Sequence, residues 1–132
     1  MARILVVDDD ADVARLFALA LGCRGRHEAS VTSGVAALQA MEREEFSVVI
    51  SDIDMPGMTG WELLENVRRL HENTAVILVT GNAGEGDEKR AIEEGAFAFL
   101  PKPVAIGTLA GTVCRALASR SVARESPTVV SR

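Results

Sequence analysis

Cysteine and aromatic side chains are scarce in this chain, which holds two cysteines, one tryptophan and no tyrosine among its 132 residues. Two cysteines cannot build a disulfide framework. Cys23 and Cys114 fall within helix-like stretches and read as reduced packing residues. Positive charge is also in short supply: lysine and arginine number 14 against 19 aspartates and glutamates, a net charge of −5, and no basic stripe gathers them. Direct binding of nucleic acid by this domain is therefore not expected. No uninterrupted apolar run approaches the length of a bilayer span, and the N-terminus carries no signal-peptide pattern. The expectation is a cytoplasmic protein with no membrane partner. The two histidines, His27 and His71, stand apart from acidic or cysteine partners and offer neither a phosphodonor nor a metal ligand. Internal repeats are missing as well.

What is present is a large apolar fraction, 48%, too high for a disordered chain and sufficient for one buried core at this length. Five short apolar runs, near 3–7, 27–31, 47–51, 75–79 and 96–100, alternate with helix-like patterns. That alternation predicts repeated βαβ units and an α/β fold built on a doubly wound parallel sheet. Four of the runs are rich in Val, Ile or Leu, as strands covered on both faces should be. The second, His27-Glu28-Ala29-Ser30-Val31, alternates and reads as an edge strand.

Helical spacing is clearest at Val13, Leu16, Phe17, Ala20 and Leu21, with Asp10 as N-cap and Gly22 as the stop. A second helix starts near Ser33. The third opens with a capping box, Thr59 to Glu62, and the last runs from about 104 to 118 with Ile106, Leu109, Ala110, Val113 and Leu117 on one face. The fourth, about 85–94, is weak: it offers mainly Ala91 and Ile92 for burial, and Gly81, Gly84 and Gly86 loosen its start. So few apolar contacts imply low local stability, which a movable element requires. Beyond Ser119 the polar sequence reads as a disordered tail or a linker.

The chemistry gathers where the strands stop. The first run ends at Asp8-Asp9-Asp10, the third at Asp52, the fourth at Thr80, and Lys102 follows the fifth. In an open α/β sheet, ligands bind outside the carboxyl ends of the parallel strands, so these residues should form one cluster. Carboxylates, a hydroxyl and an ammonium together suit a divalent metal and a phosphoryl group.

With those residues in place, the chain resembles the receiver domain of two-component response regulators, in particular the single-domain chemotaxis-regulator type. The resemblance covers residues 3–119. It rests on Val6-Val7-Asp8-Asp9-Asp10, Ser51-Asp52-Ile53-Asp54-Met55-Pro56-Gly57-Met58-Thr59-Gly60, Val79-Thr80-Gly81 and Lys102-Pro103. Any α/β protein can end a strand in Asp, but the set in this order on successive strands is specific. The resemblance implies a flavodoxin-like (βα)5 fold with sheet order 2-1-3-4-5, a receiver domain over 1–119, and a tail or linker over 120–132.

It further implies that Asp52 is the phosphoacceptor, taking a phosphoryl group from a sensor histidine kinase or a histidine phosphotransfer protein. Asp9, Asp52 and the backbone carbonyl of Asp54 would ligate Mg²⁺, with Asp8 holding a metal-bound water. Thr80 and Lys102 would engage the phosphoryl oxygens, and Phe99 would occupy an aromatic switch position, although it lacks a tyrosine hydroxyl. The peptide before Pro103 would be cis. Such a domain is no enzyme beyond its own phosphotransfer and dephosphorylation, and it works by switching the binding of a downstream effector protein. Mg²⁺ fits independently: a hard cation neutralises clustered carboxylates and needs few protein ligands. Phosphoryl transfer asks mostly for positioning and charge stabilisation.

Plainer readings fit several neighbours. Asp10 and Asp12 are helix-start acids favourable to the dipole, Trp61 is half-buried packing, and the Asp54 side chain faces solvent or modulates dephosphorylation. Gly107, Gly111, Cys114 and Ala118 form a small-residue stripe on the last helix, through which a homodimer could pair. Two competing functions are weaker. Asp52-Ile53-Asp54 is similar to the DxD pair of haloacid-dehalogenase phosphatases, but there the DxD strand comes first, and this chain lacks room for a cap. A receiver fold kept as a constitutive interaction module would not need the full acidic, Thr and Lys set.

Overall fold

The computed structural model describes residues 3–22 and 27–130, with side chains described for 3–22 and 28–119. Among the described residues, ten elements alternate strictly: β1 (Arg3–Val7), α1 (Ala11–Gly22), β2 (His27–Val31), α2 (Gly34–Arg43), β3 (Val48–Asp52), α3 (Gly60–Leu70), β4 (Ala75–Thr80), α4 (Asp87–Glu93), β5 (Ala98–Pro101) and α5 (Ile106–Val130). The strands form one parallel sheet in the order β2-β1-β3-β4-β5, as expected, and β2 lies at an edge.

Strand periodicity divides the core in two. Leu5, Val7, Val49, Val76, Leu78 and Phe99 face one side, where α2, α3 and α4 supply Ala37, Met41, Leu63, Leu64, Val67 and Ala91. Ile4, Val6, Val48, Ile50, Ile77 and Val79 face the other, against Ala14, Ala18 and Leu21 of α1 and Leu109, Ala110, Val113 and Ala116 of α5. Alternate residues of each buried strand thus feed different helical layers, which explains why these strands read as unbroken apolar runs.

Helix starts follow local chemistry. The Asp10 carboxylate accepts from the amides of Asp12 and Val13 at 3.0 and 3.3 Å, and Ser33 Oγ accepts from Ala36 N at 3.0 Å. Thr59 and Glu62 form the reciprocal capping box anticipated from their spacing.

Several face assignments need correction. Leu16, Ile92 and Ile106 are exposed; Ala91 is buried as expected, and Ala18 and Ala116, not singled out from the sequence, are buried as well. The buried face of each of these helices is rotated away from those exposed positions. Cys114 is exposed rather than packed, because it follows buried Val113 and faces away from the sheet. Cys23 lies outside the described residues. The backbone of α5 continues as helix past Ser119, through residues read from sequence as a tail. Among the described residues, no helix is long and apolar enough to cross a membrane.

Candidate functional site

Register alone brings the first two carboxylates level. Val7 pairs with Ser51 across β1 and β3, so the next residues, Asp8 and Asp52, leave the sheet side by side. Asp52 in turn pairs with Val79, which sets Thr80 one step beyond it on β4, and Thr80 pairs with Pro101, the residue before Lys102. The expected cluster therefore forms. The carboxylates of Asp8, Asp9 and Asp52 each offer an oxygen, and these oxygens lie within 4.8 Å of one another. Asp8 is 3% exposed and Asp52 9%, while Asp9 is open to solvent.

Lys102 is the positive counterpart. Its Nζ donates to Asp8 Oδ2 at 2.9 Å and stands 3.8 Å from Asp52 Oδ1. The backbone aims it: Lys102 N donates to the carbonyl of Thr80 at 2.7 Å, and the Lys102–Pro103 peptide is cis. Asp8 is pinned from its other oxygen by the amide of Asp10 at 2.9 Å.

Burial pushes the Asp52 carboxyl above its ordinary value. Lys102 opposes that shift, Asp8 reinforces it, the Ile53 amide opposes it and Asp9 adds to it, leaving a net upward shift. For Lys102, burial alone would lower the ammonium's pKa. The hydrogen bond to Asp8 and the charges of Asp52, Asp8 and Asp9 outweigh burial and hold it above its ordinary value. One ammonium among three carboxylates leaves an uncompensated negative charge, and a divalent cation seated between the oxygens would neutralise it. The donor set, three carboxylate oxygens, is that of a hard cation.

Thr80 is 1% exposed, and its hydroxyl is engaged within the protein. It donates to Asp54 Oδ2 at 3.2 Å and accepts from Asn82 N at 3.1 Å. Asp54 itself is exposed, and its carboxylate lies on Thr80 rather than among the three clustered carboxylates. Phe99 is not turned to solvent: it is buried in the core layer with Leu78 and Ala91.

One positioning residue carried no role in the sequence reading. Gly60, the first residue of α3, donates its N–H to the Ile53 carbonyl at 2.8 Å. A Cβ there would lie 2.5 Å from the Asp52 carbonyl oxygen and 2.7 Å from Ile53 Cα. Only glycine lets α3 start this close behind the Asp52 strand end. The available signal was a glycine at a helix's first position, where propensity gives no reason for it.

Comparison with known proteins agrees with this fold. The family model for the response regulator receiver domain matches residues 4–113. The sensor histidine kinase RcsC of Escherichia coli is 36% identical over 110 residues, covering 83% of this chain and 12% of that protein. The response regulator protein PilR of Pseudomonas aeruginosa is 30% identical over 130 residues, 98% of this chain and 29% of its own length. The chain thus spans less than a third of these curated relatives. Among solved structures, a response regulator receiver domain protein from Clostridium thermocellum superposes with a TM-score of 0.86 at 27% identity, over 92% of this chain and 98% of that one.

Proposed function

Because the chain belongs to the response regulator receiver family, we propose that it is an Mg²⁺-dependent phosphoacceptor whose nucleophile is Asp52. The observation that carries this reading is the convergence of Asp8, Asp9 and Asp52 with Lys102 and Thr80 at adjoining strand ends. An Asp52 carboxylate oxygen attacks the phosphorus of a phosphohistidine on a sensor histidine kinase or phosphotransfer protein. The P–N bond breaks, the imidazole leaves, and Asp52 holds an acyl phosphate.

Asp9, Asp52 and the backbone carbonyl of Asp54 would ligate Mg²⁺, with Asp8 beside them; the ion supplies neutralisation of charge among the carboxylates and the transferring group. Lys102 Nζ, already between Asp8 and Asp52, pairs with a phosphoryl oxygen by a small movement. Thr80 trades its bond to Asp54 for one to the phosphoryl group, and Phe99 follows by changing rotamer. These movements alter the surface of α4, β5 and α5, where a downstream effector protein reads them. Residues 1–119 act as the receiver unit and 120–132 as tail or linker. A second copy pairs through the outward stripe of Gly107, Gly111, Cys114 and Ala118 on α5.

The test is intact-mass analysis after incubation with acetyl phosphate and Mg²⁺. One labile phosphoryl adduct is expected on the wild type and none on Asp52→Asn. A wild type that gains no adduct would leave the interaction-module reading in front.

A further inference from the structure

α4 is held to the body of the protein by very little. Only Ala91 of its seven residues is buried, and residues 81–86, which lead into it, are all exposed. Its N-cap is Gly86, at φ 88°, with no side-chain hydrogen bond. Apart from its packing toward β5, α4 has little backbone contact with its neighbours.

One side-chain contact stands out against that background. The Arg90 guanidinium lies 3.9 Å from the centroid of the Trp61 ring on α3. Glu94, one turn on, accepts from Arg90 Nε at 2.7 Å and fixes the guanidinium in that orientation. The stack therefore has an aimed donor and a half-buried acceptor face.

Both ends of this contact lead back to the phosphoacceptor cluster by short covalent paths. Trp61 follows Gly60, whose amide is bonded to the Ile53 carbonyl and where a Cβ would clash with the Asp52 carbonyl oxygen. Arg90 hangs from the exposed 81–86 segment, which starts at Thr80. The stack closes a ring: Asp52, the start of α3, Trp61, Arg90, α4, Thr80, and back across the sheet to Asp52. A change in separation between Asp52 and Thr80 can be absorbed in that ring at the stack, the link in it made by side chains alone.

We propose that the Arg90–Trp61 stack is a clasp that holds α4 in its resting position, and that phosphorylation of Asp52 opens it. The release half rests on the phosphoacceptor reading; the clasp half does not. Thr80 moving toward a phosphoryl group draws in the segment that carries Arg90, while Gly60 keeps Trp61 fixed to the Asp52 strand end. The guanidinium then leaves the ring, and α4 retains only Ala91 as a buried anchor.

The experiment uses the full chain as wild type, Arg90→Gln, Trp61→Leu and, as a control that keeps the cation, Glu94→Gln. Amide exchange over 87–93 is measured before and after acetyl phosphate with Mg²⁺, with intact mass read on the same samples. Without phosphate, Arg90→Gln and Trp61→Leu should each exchange about two- to fivefold faster than wild type, the size of an exposed cation–π contact. Glu94→Gln should change less. With the adduct present, wild type should rise to the variants' rate and its single tryptophan should change emission intensity. Arg90→Gln should take the adduct with no further change in either signal. Equal exchange in the unphosphorylated wild type and both stack variants overturns the clasp. A wild type that carries the adduct yet keeps its α4 protection overturns the release. A missing adduct counts against the phosphoacceptor reading instead, and leaves the comparison of unphosphorylated variants to decide the clasp.

Discussion

Asp52 bears a charge that its surroundings resist, because burial and the neighbouring Asp8 and Asp9 all favour the protonated form, with Lys102 opposing them. A carboxyl whose pKa is raised on folding contributes its full favourable share only below the unfolded value, near 3.8 for Asp, and loses it as pH rises through the folded value. At neutral pH the ionised side chain therefore costs stability. Asp52→Asn should melt a few degrees higher than wild type near pH 7, about 1 kcal/mol being worth roughly 4 °C in a domain of this size. The gap should close on acidification below the ordinary carboxylate range. Thermal melts of both proteins across that range check this, and a gap that persists in acid would rule out charge as its origin. Added Mg²⁺ should raise the wild-type midpoint far more than that of the variant, because ligand binding to the native state alone is stabilising.

Among the elements, α3 is the one whose local chemistry most directly serves the site. Its capping box fixes where the helix begins, and Gly60 at that beginning braces the Asp52 strand end. Thr59→Ala removes the acceptor for Glu62 N and should cost about 1 kcal/mol, read as a lower midpoint in urea with an unchanged slope. Elements of this kind were legible in the sequence because their signals are local: Asp10, Ser33 and the Thr59–Glu62 pair cap as their spacing implies, and the strand ends carry the polar stations. The helical faces were less legible. Leu16, Ile92 and Ile106 have the apolarity expected of core positions yet are exposed, while smaller Ala18 and Ala116 are buried, because the rotation of a helix on the sheet is a tertiary quantity that periodicity does not contain. For the same reason the bond between Thr80 and Asp54, 26 residues apart, and the stack of Arg90 on Trp61 could not be read from spacing.

For the molecule as a whole, a buried polar anchor and the acidic cluster sit at opposite ends of the sheet. Buried Thr74, the residue before β4, donates to the Phe46 carbonyl at 2.7 Å, far from the acidic cluster. Thr74→Val leaves that carbonyl unsatisfied and should cost about 1–3 kcal/mol, while the folded fraction takes up phosphate as wild type does. Denaturation and intact mass on one preparation separate the two effects. Self-association is also a property of the whole: sedimentation of Gly111→Gln should show weaker pairing than wild type, and equal association with and without a phosphoryl mimic would remove α5 as the dimer face.

The bond between Lys102 and Asp8 joins residues 94 positions apart. On the ribosome, the acidic strand ends are therefore made well before Lys102, the ammonium that pairs with Asp8. A chain made only as far as β4 contains Asp8, Asp9 and Asp52 without that ammonium. On the phosphoacceptor reading, Asp52 would acquire its full set of partners only once β5 and Lys102 have been made.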